Sequence, residues 1–197
     1  MRMAILNPED EKRIEIIKET LINNGPNLQY HNAPHGLDVW NTARNYGTVA
    51  NLSYDDRVVL ESASLLHDFI FVPRRDDNEE KTASFASSFL PSLGFLDYQV
   101  SKIHDLIIAT KPSLEPKNFL EGLIRDCDLD YLGRQDYVSI SEKLREEWHK
   151  PRDREWFELQ EKFLTGHTYH AEIAQVLRNY GKNRNINLVR KVLKATN

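Results

Sequence analysis

Hydrophobic residues recur every three or four positions along nearly the whole chain, which is the spacing of helices that each bury one face. The alternation of apolar and polar residues that indicates β-strands is scarce. The first helix has clear limits, because Asn7 is a typical N-cap, Pro8 suits the first helical position and Gly25-Pro26 stops a helix. The pattern therefore predicts an all-α protein.

Similar start and stop signals divide the rest of the chain. Ser53, with Asp56 three residues later, resembles a capping box and opens a helix that carries His67 and Asp68 near its C-terminal end. The other helical segments are predicted at about 34–51, 78–90, 97–111, 116–133, 136–150, 151–164 and, as one or two helices, 168–196. We expect about eight to nine helices in all, with 136–150 and 151–164 forming an antiparallel pair.

Composition limits the class of protein. A length of 197 residues leaves room for one domain, and 40% apolar with 28% charged residues is typical of a water-soluble globular protein. The apolar stretches are far shorter than the about 20 residues of a membrane helix, and the first residues do not resemble a signal peptide. A single cysteine, Cys127, favours a reducing cytoplasm. A net charge of -4 argues against general nucleic-acid binding; the oligomeric state stays open.

Histidines and carboxylates recur at positions that suggest a metal site. His35, the pair His67-Asp68 and the acidic cluster 126–130 are ligand types that suit a divalent ion. The pair lies in a strongly apolar stretch, where a carboxylate needs a compensating partner. The alternative is a His-Asp pair that fills a buried hydrogen-bond network. The dipeptide alone does not decide, because His104-Asp105 is a second such pair in apolar surroundings.

Five short phrases occur in one order between residues 30 and 133. They are Tyr-His-Asn-Ala-Pro-His at 30–35, Leu-Leu-His-Asp at 65–68, Asn-Glu-Glu-Lys-Thr-Ala at 78–83, Leu-Ile-Ile-Ala-Thr-Lys at 106–111 and Asp-Cys-Asp-Leu-Asp-Tyr-Leu-Gly at 126–133. This order resembles the HD superfamily of metal-dependent phosphohydrolases, and within it a subgroup of small predicted HD phosphohydrolases. The resemblance implies one HD-type helical domain over 1–197, with a motif-bearing core at about 26–133 and a helical extension at 134–197.

The resemblance also implies a cofactor and an activity. His35, His67, Asp68 and Asp128 would hold one divalent ion, which could be Mn, Mg, Ni, Co, Fe or Zn, with Asp126 as the reserve candidate for the last ligand. The expected activity is hydrolysis of a phosphate monoester or diester, on a nucleotide or a related small ester, by water that the ion activates. The alternatives are a catalytically inactive HD-fold module that binds a nucleotide or a protein, and a structural helical adaptor without an ion.

Catalytic roles are expected for Asp68 and for a glutamate that follows it. Some relatives use a Glu soon after the His-Asp pair as proton donor or base, and Glu79 or Glu80 could take that role here. The spacing is longer than in those relatives. Either glutamate could instead stabilise the N-terminus of its helix, where a negative charge contributes about 0.3–1 kcal/mol.

Substrate contacts are expected from four residues. Arg74, Arg75 and Lys111 are the cations best suited to a phosphate group, and His31 could touch the substrate or orient His35. The alternatives are solvated surface positions for the arginines and a loop hydrogen bond for His31. The aromatic residues Trp148, Trp156 and Phe163 are interpreted as core or as a seam between helices.

Overall fold

The computed structural model describes residues 6–195, and within that range it is all helical, as the sequence predicts. None of the helices in this range has the length and apolar character needed to cross a membrane. The α-helices are α1 (Pro8–Asn24), α2 (Ala33–Val49), α3 (Tyr54–Leu66), α4 (Asn78–Phe89), α5 (Asp97–Ala109), α6 (Phe119–Asp128), α7 (Tyr137–Glu147), α8 (Arg154–Gly166) and α9 (Glu172–Ala195).

Side-chain caps fix where several helices begin. Asn7 accepts the backbone N–H of Asp10 at 2.8 Å, and Ser53 accepts that of Asp56 at 3.2 Å, so α1 and α3 begin where the sequence predicts. The helix predicted from residue 116 begins later, at Phe119, because Asn118 is its N-cap. The predicted C-terminal ends are less accurate: α3 ends at Leu66 and α6 ends at Asp128, earlier than the sequence pattern indicates.

Helix α3 lies at the centre of the fold. All its residues from Arg57 to Leu66 are buried, and it packs against α1, α2, α5 and α6. This burial on all sides explains the nearly continuous apolar run that precedes His67. The helix ends at Leu66, so His67 and Asp68 follow it directly instead of lying within its last turns. The central helix thus delivers both side chains to the interior.

Two 3₁₀ helices continue α4 and α6. Helix α4 ends at Phe89, before Pro91 as predicted, and a 3₁₀ turn over Leu90–Leu93 then includes Pro91 and ends at Gly94 with a φ of 82°. A left-handed backbone of this kind favours glycine. The other 3₁₀ turn, Asp130–Gly133, follows α6 directly.

The C-terminal helices α7 and α8 form the predicted pair, because Tyr137 and Ser141 of α7 hydrogen-bond Gln160 of α8 and Trp148 packs against Trp156. The main packing partner of α8 is nevertheless α9, and α7 also packs on the 3₁₀ turn Asp130–Gly133. Helix α9 also lies on that turn, and a Cβ added to Gly181 would come within 1.8 Å of the Gly133 carbonyl oxygen. Only glycine permits this approach.

Candidate metal centre and adjoining cavity

Four side chains from three separate parts of the chain converge on one point. His35 lies in the first turn of α2, His67 and Asp68 follow α3, and Asp128 is the last residue of α6. The Nε2 atom of His67 is 2.9 Å from Asp68 Oδ2, 3.2 Å from His35 Nε2 and 3.5 Å from Asp128 Oδ1. One possible ligand atom from each residue lies within 4.8 Å of the others. The structure therefore brings together the four ligands predicted from the sequence.

The spacing of these atoms fits a single cation. Ligand atoms about 2.1 Å from one ion lie roughly 3.0 Å apart in octahedral and roughly 3.4 Å apart in tetrahedral geometry. The distances of 2.9, 3.2 and 3.5 Å around His67 Nε2 span the same range. The two imidazole nitrogens that face each other between the carboxylates can share a proton or can both coordinate a cation. These residues could therefore hold one divalent ion.

Neighbouring groups hold both imidazoles in place. The Nδ1 atom of His67 lies 2.9 Å from the Ser64 carbonyl oxygen, which can only accept a hydrogen bond. His67 therefore donates from Nδ1, so that in the neutral imidazole the Nε2 lone pair is directed at the cluster. Asn32 caps α2 and accepts the backbone N–H of His35 at 3.1 Å. The Tyr30 ring packs on the His35 ring with a centroid separation of 4.5 Å.

Protonation couples the four groups. Burial by itself lowers the pKa of His67, but the charges of Asp68 and Asp128 outweigh it and raise that pKa well above the usual value. Burial likewise raises the pKa of the Asp68 and Asp128 carboxyls, yet the imidazoles hold both below their usual range. Without an ion, shared protons balance the charges of the cluster. An ion that takes their place would release protons.

Asp126 has a different role from Asp128, although only one residue separates them. Asp126 is fully buried and accepts backbone N–H groups, from His170 at 2.9 Å and from Ala171 at 2.7 Å. It therefore holds the start of α9, where a negative charge is favourable. The structure gives the reserve ligand no contact with the cluster; Asp128 lies in it instead.

His31 lies beside the cluster and is held by a residue far along the chain. Its Nδ1 bonds Glu147 Oε1, while Glu147 Oε2 accepts the backbone N–H groups of Tyr30 at 2.8 Å and His31 at 2.9 Å. Burial raises the pKa of Glu147, but His31 outweighs it and the pKa is lowered. The His31 ring stacks on Phe71 with centroids 3.4 Å apart, and its Nε2 lies 3.8 Å from Asp68 Oδ2.

A cavity of about 460 Å³ opens beside the cluster. Its volume lies within the range of small-molecule sites. Asp68 and Asp128 form part of its wall, so the candidate metal centre faces into it. The polar and charged side chains around it include His31, Arg75, Asn78, Glu79, Lys111 and Gln160. Its apolar side chains include Phe71, Leu144, Trp148, Leu159 and Phe163.

Most of the predicted substrate residues reach this cavity. His31, Arg75 and Lys111 line it, but Arg74 does not; its side chain is exposed and lines a different hollow, beside Trp148. Arg75 already pairs with Asp77 at 2.8 Å. The structure therefore does not place Arg74 with the other predicted cations.

The two candidate glutamates are consecutive residues in the first turn of α4, but their surroundings differ. Glu79 is partly buried and lines the cavity, and burial raises the pKa of its carboxyl. Glu80 is exposed and accepts a hydrogen bond from Lys111 at 2.5 Å. The second His-Asp pair, His104-Asp105, lies on α5 with side chains 43% and 65% exposed, so it takes no part in the cluster.

The polar loop 71–77 is held by the residues of the third sequence phrase. Asn78 accepts the backbone N–H of Val72 at 2.9 Å and donates to the Val72 carbonyl at 3.1 Å. Thr82 bonds the backbone N–H and carbonyl of Ile70 at 3.0 and 3.1 Å. These contacts hold the backbone that follows Asp68, so the residues of the third phrase help to position the cluster.

Sequence reasoning missed several residues of the site. Glu147 lies among other charged residues of α7, and no local pattern distinguishes it. Trp148 and Phe163, interpreted as core or seam, are 36% and 43% exposed and line the cavity, whereas Trp156 is buried as expected. Gln160 lines the cavity as well, and it was not predicted as a site residue. Helical spacing shows which residues share a face but not that the face borders a cavity.

Comparison with known proteins supports the fold. The crystal structure of Bacillus subtilis YpgQ in complex with ADP is similar to this chain, with a TM-score of 0.73 and 15% identity over 95% of this chain and 96% of that one. At that identity the likeness shows a shared fold. No protein-family model matches the chain, and no curated protein matches it in sequence.

Proposed function

We propose that this protein is a metal-dependent phosphohydrolase of HD type that acts on a nucleotide or a related small phosphate ester. The observation that carries the proposal is the convergence of His35, His67, Asp68 and Asp128 at ion-binding distances on the wall of a cavity. The order of these residues along the chain resembles the HD superfamily. The similar fold of YpgQ, solved with ADP, supports a nucleotide as the ligand class.

The surroundings of the cluster suit a phosphate group. A divalent cation held there would supply positive charge and lower the pKa of water. Lys111 adds a cation at the cavity wall, and its Nζ is held by Glu80 and by the Asp76 carbonyl, each at 2.5 Å. Arg75 adds a second cation to the same wall. A phosphoryl group beside Asp68 would need this charge to offset the nearby carboxylates.

His31 and Glu79 are the two residues for which we propose roles in substrate contact and in proton transfer, respectively. Both line the cavity, and His31 is oriented by Glu147 so that its Nε2 faces Asp68. Glu79 has a raised pKa because it is partly buried, which favours a proton on its carboxyl at higher pH than usual. We propose that His31 contacts the substrate and that Glu79 transfers a proton to or from it.

Substitution of the cluster tests the proposal. His67→Ala and Asp68→Ala should each abolish binding of one ion per chain and lower phosphate release at least about 1000-fold, or about 4 kcal/mol. The measurements are elemental analysis and phosphate release from a nucleotide panel and p-nitrophenyl phosphate with Mn, Mg, Ni or Co. Helicity by circular dichroism should stay nearly intact.

The matched controls are His104→Ala and Asp105→Ala, which change the same dipeptide on the exposed face of α5. Both should keep the ion and the activity. An ion bound without phosphate release from any substrate would instead indicate a binding module, and no bound ion would indicate a helical adaptor. Either result contradicts the proposal.

A further inference from the structure

One side of the cavity is built by the C-terminal helices and is largely apolar. Leu144 and Trp148 come from α7 and the residue after it, and Leu159 and Phe163 lie one turn apart on α8. We call these four residues with Gln160 the α7–α8 wall. Leu159 and Phe163 are 41% and 43% exposed. Large apolar side chains that stay accessible inside a concave site are typical of a ligand-binding surface.

Gln160 is the polar member of this wall, and its orientation is fixed. The side chain is 6% exposed, and its Oε1 accepts hydrogen bonds from Tyr137 Oη at 2.9 Å and from Ser141 Oγ at 3.0 Å. Both partners are themselves buried. Because two hydroxyl groups occupy Oε1, the amide nitrogen is the atom of Gln160 that remains for the cavity.

The Nε2 group of Gln160 has no hydrogen-bond partner among residues 6–195. The Nε2 atom is not sealed inside the protein, so it can donate a hydrogen bond to water or to a ligand. Gln160 lines the cavity. The donor is therefore available to a bound molecule.

The two sides of the cavity differ in chemistry. Arg75 and Lys111 come from the loop after α3 and from the end of α5, and Asp68 and Asp128 carry the metal cluster. The α7–α8 wall carries no charge. A phosphate would be poorly solvated against Trp148 and Phe163, whereas a flat ring would pack well on them.

We infer that the α7–α8 wall binds the organic group of the substrate, and that this group is a flat heteroaromatic ring that accepts a hydrogen bond from Gln160 Nε2. A ring nitrogen or an exocyclic carbonyl oxygen provides the acceptor. The aromatic side chains of the wall provide a stacking surface. The inference deepens the proposed function. It rests on that function only in taking the substrate to carry a phosphate group at the cluster. Gln160 thereby determines specificity.

The test uses neutral nucleosides, because they lack the phosphate and so report on the wall by itself. Binding of adenosine, guanosine, cytidine and uridine to the full chain is measured by equilibrium dialysis. Gln160→Glu keeps an oxygen for Tyr137 and Ser141 but replaces the donor with an acceptor, so the best-bound nucleoside should bind about tenfold more weakly. Trp148→Ala should also weaken it, through loss of the stacking surface.

The matched control is Gln135→Glu, the same change at an exposed position outside the cavity, which should leave nucleoside binding unchanged. Circular dichroism confirms that each variant is folded. If no nucleoside binds the wild-type chain, or if Gln160→Glu and Trp148→Ala both bind as well as Gln135→Glu, the inference is wrong.

Hydrolysis separates this inference from the proposed function. Gln160→Glu should lower kcat/KM for the preferred nucleoside monophosphate about tenfold and leave that for glycerol 2-phosphate, which has no ring, unchanged. Nucleoside binding that depends on Gln160, without phosphate release, would support the wall and overturn the phosphohydrolase. Phosphate release together with nucleoside binding that does not change in Gln160→Glu would support the phosphohydrolase and overturn the role of the wall.

Discussion

At the scale of single residues, two aspartates at the end of α6 have different roles although only one residue separates them. Asp128 lies with His35, His67 and Asp68, whereas Asp126 accepts backbone N–H groups at the start of α9. Residues two apart on a helix point in nearly opposite directions, so both roles fit in one short segment.

Substitution should separate the two roles. Asp126→Ala leaves two backbone N–H groups without their acceptor and should lower the free energy of unfolding by about 2 kcal/mol while ion binding persists. Asp128→Ala should abolish ion binding with a smaller loss of stability in the ion-free protein. Urea unfolding and elemental analysis on the same samples check both. Loss of the ion in Asp126→Ala, at a temperature where it remains folded, would contradict this division.

The four residues of the candidate metal centre could be predicted from the sequence because their chemical types and their order are informative. The supporting residues could not. Glu147 reaches His31 across 116 positions, and its own helix shows only an ordinary charged surface pattern. Gln160 likewise depends on which helices border the cavity. Such contacts are set by tertiary packing and leave no periodic trace in the chain.

At the scale of helices, local signals predicted the starts better than the packing. The caps of α1 and α3 lie where Asn7 and Ser53 indicate, because a cap is a contact within one turn. The predicted pair of α7 and α8 is present, with Tyr137 and Ser141 bonded to Gln160, but the more extensive packing of α8 on α9 was not predicted. Amphipathic spacing alone does not choose between two apolar partners.

The segment that joins α8 to α9 contains a partly buried histidine, His167, which contacts Lys182 of α9. Lys182 Nζ donates to the His167 carbonyl at 2.5 Å and lies 3.4 Å from His167 Nδ1. Burial, followed by the Lys182 charge, lowers the pKa of His167 to about 3. The folded protein therefore keeps His167 neutral at a pH where the unfolded chain takes up a proton.

Acid should weaken the protein through this histidine. Because the pKa of His167 is lower in the folded state, the associated stability is fully present above about pH 6.5 and is lost as the pH falls towards 3. From about pH 7.5 to about pH 5, the wild type should lose about 2 kcal/mol more unfolding free energy than His167→Asn, which has no titrating group. Guanidinium unfolding at both values measures this. Parallel losses in the two proteins would show that His167 is accessible to protons in the fold.

At the scale of the whole molecule, the predicted division into a core at 26–133 and an extension at 134–197 stays a prediction. Contacts cross that boundary at several places. Helix α9 lies on the 3₁₀ turn Asp130–Gly133, and Arg178 pairs with Asp130 at 2.6 Å. Glu147 and Gln160 extend the site from the C-terminal side.

Because the cluster joins α2, α3 and α6, an ion bound there should stabilise the entire fold. At about 100 times its dissociation constant, a ligand that binds only the folded state adds about 2.7 kcal/mol, or roughly 5–10 °C in Tm for a chain of this size. Thermal unfolding of the wild type with and without Mn should show this rise, and a chelator should reverse it. His35→Ala should show no rise. An equal rise in that variant would place the bound ion elsewhere.

The long reach of Glu147 to His31 also has a consequence for how the chain is made. Ribosomes add about 5–20 residues per second, so the 19 residues from Leu129 to Glu147 take roughly one to four seconds. During that interval all four cluster residues have been synthesised, while the carboxylate that anchors His31 has not. The nascent protein can therefore gather an ion before it can align a substrate.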